Sequence, residues 1–207
     1  EWLGETREQI EAVAMDMNSA FDLEVKDQCP NAEVVYDRFH VVAKYGREVM
    51  DRVRVDQANQ LRDDKAARKV IKGSRWLLLR NADNLKPEQA VKLEELLAAN
   101  ASLTTAYLLK DQLKTLWFAD DEATARNAWQ EWYDMATSSG IEALGRFAKR
   151  LAPYLEGILS STRHRLNTSV LEGMNNRIKV IKRMAYGYRD TAYFFLKIRA
   201  AFPGKVR

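Results

Sequence analysis

Four side chains carry the chemistry this sequence offers. They are Asp16 in VAMDM, Asp37 and His40 in VVYDRFH, and Glu172 in LEGMNNRIKVIKRMAYGYRD, which runs from Leu171 to Asp190. Glu172 is set apart by its surroundings: the next acid is Asp190, and between them stand Arg177, Lys179, Lys182, Arg183 and Arg189. Convergent carboxylates suit phosphodiester chemistry, where two divalent cations about 3.5–4 Å apart activate the attacking oxygen and stabilise the leaving one. A set made of carboxylates points to Mg2+ (or Mn2+), since hard cations take oxygen ligands. The surrounding Lys and Arg would hold DNA phosphates near those acids, which positions a duplex without reading its sequence. The plainer reading of Glu172 is a surface acid in the first turn of a helix, matched to the helix dipole by roughly 0.3–1 kcal/mol.

The elements that would position these groups follow from the local pattern. ETREQIEAVAMDM reads as a helix end followed by a short buried strand, Val13 to Met15, with Asp16 at its carboxyl edge. NSAFDLEVKDQC reads as a helix capped by Asn18 or Ser19, CPNA as a turn, and AEVVYDRFH as a strand ending in Asp37. Strand, helix, strand in this order is a βαβ unit, which favours adjacent parallel strands. Active groups in open α/β sheets collect at the carboxyl ends of strands, where both aspartates fall. From Val41 to Arg165 the pattern is almost wholly helical, with edges at Pro87 and Gly140 and a kink expected at Pro153; SRWLLLRNADNL is ambiguous. A last basic helix, Val170 to Met184, is expected to be capped by Thr168 or Ser169. At about 100° per residue it gathers Glu172, Asn176, Lys179 and Arg183 on one face. Val170, Met174, Ile178, Ile181 and Ala185 form the opposite, core face. Gly187 is expected to end this helix in the left-handed conformation, ahead of an amphipathic helix in which Tyr193, Phe194 and Leu196 are partly buried.

Composition narrows the classes. The chain has 207 residues, 46% hydrophobic and 30% charged, a globular balance. No apolar run approaches a membrane span, and no signal-peptide pattern is seen. A single cysteine, Cys29, excludes an internal disulfide framework and fits a reducing compartment. With two histidines besides, a Cys/His zinc site is disfavoured. The net charge of +4 hides an asymmetry. From Ser161 onward, eleven Lys and Arg face two acids, a net +9, whereas the first 160 residues carry 22 against 27, a net −5. A basic C-terminal quarter points to a polyanion, most simply nucleic acid; a solvated basic face is the alternative.

Aromatic residues cluster in the helical stretch: Trp117, Phe118, Trp129, Trp132 and Tyr133. Helical spacing of this kind is mainly a core signal. Trp76 with Arg75 and Arg80 is a candidate DNA contact, and Tyr186, Tyr188 and Arg189 either contact DNA or pack onto the core.

VAMDM, CPNAEVVYDRFHVV and LEGMNNRIKVIKRMAYGYRD together resemble bacterial insertion-sequence transposases of the DDE class, most closely the ISL3 family. The resemblance extends over nearly the whole chain. It implies an α/β, mostly helical fold: a partial ribonuclease-H-like core, βαβ plus C-terminal helices, interrupted by a large all-α insertion. The corresponding segments are 1–40, 41–165 and 166–207. It implies Mg2+-dependent strand cleavage and transfer at the ends of a mobile element, DNA (terminal inverted repeats and target) as partner, a possible homodimer, no membrane, and a cytoplasmic, nucleoid-associated protein. By the same resemblance Glu172 is the third acid of the triad. Asp16 is the favoured second acid and metal ligand, with Asp37 and His40 as supporting residues; the alternative makes Asp37 the ligand and Asp16 a structural strand-end acid. His40 is either part of the site or a hydrogen-bonded core histidine. Asn175, Asn176, Lys179, Lys182, Arg183 and Arg189 are the expected DNA contacts. The family's first Asp lies on a strand upstream of VAMDM, but before Asp16 this chain has only Glu1, Glu5, Glu8 and Glu11. The chain is therefore expected to be the C-terminal part of a transposase, inactive alone. A non-catalytic DNA-binding or assembly module derived from a transposase is the competing reading.

Overall fold

The computed structural model describes residues 4–166 and 169–203, and their side chains except those of Glu5, Ser169, Val170, Leu171 and Glu172. Two compact units divide the chain, 1–166 and 167–207.

The first unit opens with a 3-10 turn, Gly4–Gln9, and strand β1, Ala12–Met15. Helix α1, Ser19–Gln28, starts at Asn18, whose side chain accepts the Ala20 N–H at 3.0 Å. Of the two caps the sequence offers, Asn18 is the one used, because its carboxamide oxygen satisfies a donor the helix cannot. A turn at Cys29–Ala32, closed by Ala32 N–H to the Cys29 carbonyl at 3.0 Å, leads into strand β2, Glu33–Tyr36. The two strands are parallel, with Ala12 opposite Glu33 and Met15 opposite Tyr36. They form the one sheet among the described residues. β1 was expected to be buried; its side chains are only half-buried.

Helices then dominate. α2, Arg38–Tyr45, runs through a π turn, Gly46–Met50, into α3, Asp51–Gln60. There follow α4, Lys65–Gly73; α5, Arg75–Leu79; α6, Pro87–Ala98; and α7, Ala101–Thr115. A 3-10 turn, Leu116–Phe118, precedes α8, Glu122–Ser138, and α9, Glu142–Leu151. Short turns at Ala152–Tyr154 and Ser160–Thr162 flank α10, Leu155–Leu159. Pro87 occupies the first position of α6, Gly140 follows α8 at φ +71°, and Pro153 breaks the run between α9 and α10. The ambiguous SRWLLLRNADNL folds as α5 and a 3-10 turn at Ala82–Asn84. One core joins these helices. Tyr45, fully buried, donates to the Ala106 carbonyl at 2.7 Å and meets Phe147 edge-on at 5.1 Å; Trp132 donates to the Leu109 carbonyl at 2.9 Å. Buried aromatic rings of this kind need a partner for each polar atom, and both have one.

Side chains from the helical stretch also meet the free edge of β2. Glu33 and Asp37 turn their N–H groups toward β1, donating to Glu11 and Met15 carbonyls at 2.9 and 3.2 Å. Val34 and Tyr36 therefore present their backbone away from β1. Ser160 Oγ donates to the Val34 carbonyl at 2.5 Å, and Trp117 Nε1 to the Tyr36 carbonyl at 3.1 Å. Two side chains thus stand where a third strand would be, satisfying acceptors that burial would otherwise leave bare. Tyr36 itself meets Tyr154 edge-on at 5.3 Å and donates to Asp22 at 2.9 Å. Burial, and then the neighbouring Asp22, hold its phenol above the ordinary value.

The second unit pairs α11, Ser169–Met184, with α12, Thr191–Ala201. The expected cap Thr168 lies outside the described residues, as do the side chains of Ser169 and Val170. The face of α11 expected to be core is only partly covered: Ile178 and Ile181 are half-buried, while Met174 and Ala185 are exposed. In α12 Phe194 is half-buried, but Tyr193 and Leu196 are exposed. Two helices alone bury too little of each other to make a full core. The residue that ends α11 in the left-handed region is Tyr186, at φ +51°, rather than Gly187, which follows at +102°.

Two measurements test this packing. A Cβ on Gly157 would lie 2.4 Å from Cε2 of Tyr36, whereas one on Gly145, in α9, would lie 4.0 Å from the nearest backbone atom. Gly157→Ala is expected to lower unfolding free energy by roughly 1–3 kcal/mol through overpacking, and Gly145→Ala to raise it by roughly 0.4–1 kcal/mol, in urea denaturation. The second concerns Lys110, which is 2% exposed, donates to the Leu78 and Arg80 carbonyls at 2.7 and 3.2 Å, and lies 4.0 Å from the Tyr107 ring centre. Burial pushes its ammonium down to about 8 from 10.5. A neutral amine keeps two N–H donors, so both carbonyls stay satisfied. Between those values the unfolded chain binds the additional proton, so stability supplied through Lys110 rises with pH and is lost as pH falls through 8. Denaturation from pH 7.5 to 9.5 should show the wild type gaining about 1–2 kcal/mol relative to Lys110→Met.

Candidate active site

The two strand-end aspartates stand side by side at the carboxyl edge of the parallel pair, because Met15 and Tyr36 are opposite each other and each is followed by Asp. Their side chains do different work. Asp37 is the N-cap of α2: its Oδ1 accepts the Phe39 N–H at 2.5 Å. Asp16 Oδ1 accepts from the adjacent Met17 N–H at 2.7 Å, and Oδ2 lies 3.6 Å from Nδ1 of His40. The Asp16 and His40 side chains are 54% and 40% exposed. His40 is thus at the surface facing Asp16, on the first turns of α2, and not enclosed in the core. The cap that Asp37 provides is what starts α2 in the direction that carries His40 toward Asp16.

The rim of this edge was not legible beforehand. Phe118, read with its neighbours as core, is 68% exposed, while Trp129 and Trp132 are buried and Trp117 and Tyr133 half-buried. The Arg38 guanidinium lies 4.6 Å from the Phe118 ring centre, a cation–π contact. Trp117, clamped to the Tyr36 carbonyl, fixes this turn beside the strand end. The Trp117–Phe118 pair at a helix end, just before ADDE, was the only signal in the sequence. Away from the sheet, Trp76 is exposed with Arg75 5.2 Å from its ring centre; Arg75 also bonds Asp51 at 3.2 Å, and Arg80 bonds Gln89 at 3.2 Å.

In the second unit, Glu172 falls in the first turn of α11, and its side chain lies outside the described set. Asn175, Asn176, Lys179, Lys182, Arg183 and Arg189 are all exposed. Among the described residues none of these four cations is in an ion pair. Unpaired exposed cations on one helix end are available to phosphates. Asp16 and Asp37 offer hard oxygen donors of the kind Mg2+ or Mn2+ takes; among the described residues, however, no three His, Cys, Asp or Glu side chains gather to hold a metal ion. No described helix is long and apolar enough to cross a membrane.

A family model described as "Transposase" matches residues 1–198. The transposase for insertion sequence element IS1001 of Bordetella parapertussis is 65% identical over 200 residues, covering 97% of this chain and 49% of that protein. The transposase for insertion sequence element IS1557 of Mycobacterium tuberculosis is 26% identical over 206 residues, covering 88% of this chain and 45% of that protein. No solved structure matches. The chain belongs to the ISL3 family of transposases. It spans about half the length of the curated relatives it matches.

The two aspartates separate in a stability measurement. Asp37→Ala removes a helix cap and is expected to lower unfolding free energy by about 1 kcal/mol, with Asp37→Asn retaining most of it. Asp16→Ala, at an exposed site with a local bond and a solvent-exposed contact to His40, is expected to change it by less than about 0.5 kcal/mol.

Proposed function

We propose that this chain is part of a DDE transposase that cleaves insertion-sequence ends and transfers the strand to a target. What carries the reading is the pair of strand-end acids, one of them, Asp16, free of any structural task beyond its own turn and faced by His40. Asp16 and Glu172 are the acids of the reaction, in a ribonuclease-H-like core that the helical stretch 41–165 interrupts. Asp37 supports the site and His40 orients Asp16. Asp16, Asp37 and Glu172 are the residues that would hold Mg2+ or Mn2+. When bound, the metal supplies an activated attacking oxygen and charge stabilisation at the leaving one.

Every other task belongs to the chain's own side chains. The Asp16 carboxylate, held by the Met17 N–H, keeps its second oxygen free toward His40. Asn175, Asn176, Lys179, Lys182, Arg183 and Arg189 hold the backbone of terminal inverted repeats or target DNA. This contact is sequence-independent, since cations fix the register of a duplex and base edges specify it. The chain has no Asp before residue 16, so we assign the first acid to sequence outside these 207 residues and expect this chain alone not to cleave. A homodimer acting on paired ends belongs to the same proposal.

The test uses the longer protein that contains this chain. Asp16→Asn and Glu172→Gln are each expected to reduce Mg2+-dependent nicking of an insertion-sequence end by about 10²- to 10³-fold, a loss of the size seen when a transition-state charge partner is removed, while leaving DNA binding within a few-fold. Full nicking by either variant would sink the assignment of that acid. Metal-dependent nicking by the 207-residue chain itself, abolished by Glu172→Gln, would overturn the assignment of the first acid elsewhere.

A further inference from the structure

We infer that Tyr186 is a stacking residue for an unpaired nucleotide of the DNA, an inference that rests on the DNA reading of the basic helix. The observation is a tyrosine where the backbone favours glycine. α11 ends in a Schellman motif: the Gly187 N–H donates to the Lys182 carbonyl at 2.9 Å, and the Tyr186 N–H to the Arg183 carbonyl at 3.0 Å. In that motif the residue in the left-handed region is most often glycine, sometimes asparagine. Here it is Tyr186, at φ +51°, although a glycine stands at the very next position. A Cβ in this region is strained, and a bulky residue holds it only where its surroundings or its task retain it.

The surroundings do not. Tyr186 is 101% exposed, and among the described residues no ring contact or hydrogen bond holds its side chain. Its neighbour Tyr188 differs: that ring packs 4.9 Å from Phe194 and 6.1 Å from Tyr193, tying the turn to α12. The two tyrosines of YGYRD thus divide, one inward and structural, the other presented. Lys182, Arg183 and Arg189, each within four residues of Tyr186 in the chain, are also exposed. An exposed ring at the end of a basic helix matches a nucleobase with its flanking phosphates: bases stack on aromatic side chains and cations track the backbone. The base must offer a free face. Within a duplex both faces are covered by neighbours, so the ligand is an unpaired or strand-terminal base.

The experiment compares two fluorescent DNAs bound by the 207-residue chain at low salt: a short duplex, and the same duplex with a short single-stranded extension. Wild type is expected to prefer the extended DNA. Tyr186→Asn, which suits the left-handed backbone, should lose that preference by roughly 5- to 100-fold, keep its affinity for the plain duplex, and melt at the same or a higher temperature. Tyr186→Gly should behave alike, and Tyr186→Phe should retain the preference because the ring, not the hydroxyl, does the stacking. An Asn variant that binds both DNAs as wild type does, or one that melts well below it, overturns the inference while leaving the basic helix as a DNA face. That face is tested separately by Lys182→Gln with Arg183→Gln, which should weaken both DNAs equally and flatten the salt dependence. If wild type binds neither DNA at low salt, the stacking inference and the reading beneath it fall together.

Discussion

The free edge of β2 is the constraint on which the first unit depends. A two-stranded parallel sheet is unstable alone, because each strand leaves a row of backbone groups without partners. Here the outward carbonyls of β2 are met by Ser160 and Trp117, residues that lie 126 and 81 positions from their acceptors Val34 and Tyr36. The helical stretch therefore supplies donors to the sheet rather than being an appendage to it. Gly157 belongs to the same arrangement: the backbone of α10 approaches so close to the Tyr36 ring that no Cβ fits between them. Every contact that holds Tyr36 also holds the next residue, Asp37, and so the start of α2 and the placement of His40.

Charge is unevenly distributed over the described residues. In this chain the described acids of the candidate site sit at strand ends in the first unit, while the unpaired cations crowd one end of α11 and the turn after it. Elsewhere in the first unit cations are consumed in pairs: Arg163 binds Glu33 and Glu122, and Arg126 binds Glu122 and Glu156. Exposed pairs of this kind contribute little stability individually, but they leave those guanidinium groups less available for phosphate.

Much of the site was readable because it rests on short-range rules. A β-branched run followed by Asp predicts a strand end, and the alternation of strand, helix and strand predicts parallel neighbours, so the adjacency of Asp16 and Asp37 followed from order alone. What failed were inferences about burial. Phe118 shares helical spacing with buried Trp129 and Trp132, yet it points outward, because the chain switches to a 3-10 turn at Leu116 and the helical phase is lost. Gly187 looked like the helix terminator because glycine tolerates a positive φ; the register of the last turn placed Tyr186 there instead, one residue earlier. Met174, Tyr193 and Leu196 looked internal from their apolar character, and a two-helix unit has too little partner surface to enclose them.

The sequence by itself determined the elements, the parallel pairing, the two strand-end acids, the basic face of α11 and the family to which the chain belongs. These depend on periodicity, turn chemistry and motif, all of which act within a few residues or along one helix. Only the tertiary structure decided that Asp37 is bound up in capping while Asp16 is faced by His40, that Trp117 and Ser160 meet the outward carbonyls of β2, and that Lys110 is buried against the end of α5. Each of these rests on a few directional contacts, most of them between residues far apart in the chain. Such contacts are set by how the elements pack, and no local pattern records which donor will meet which acceptor.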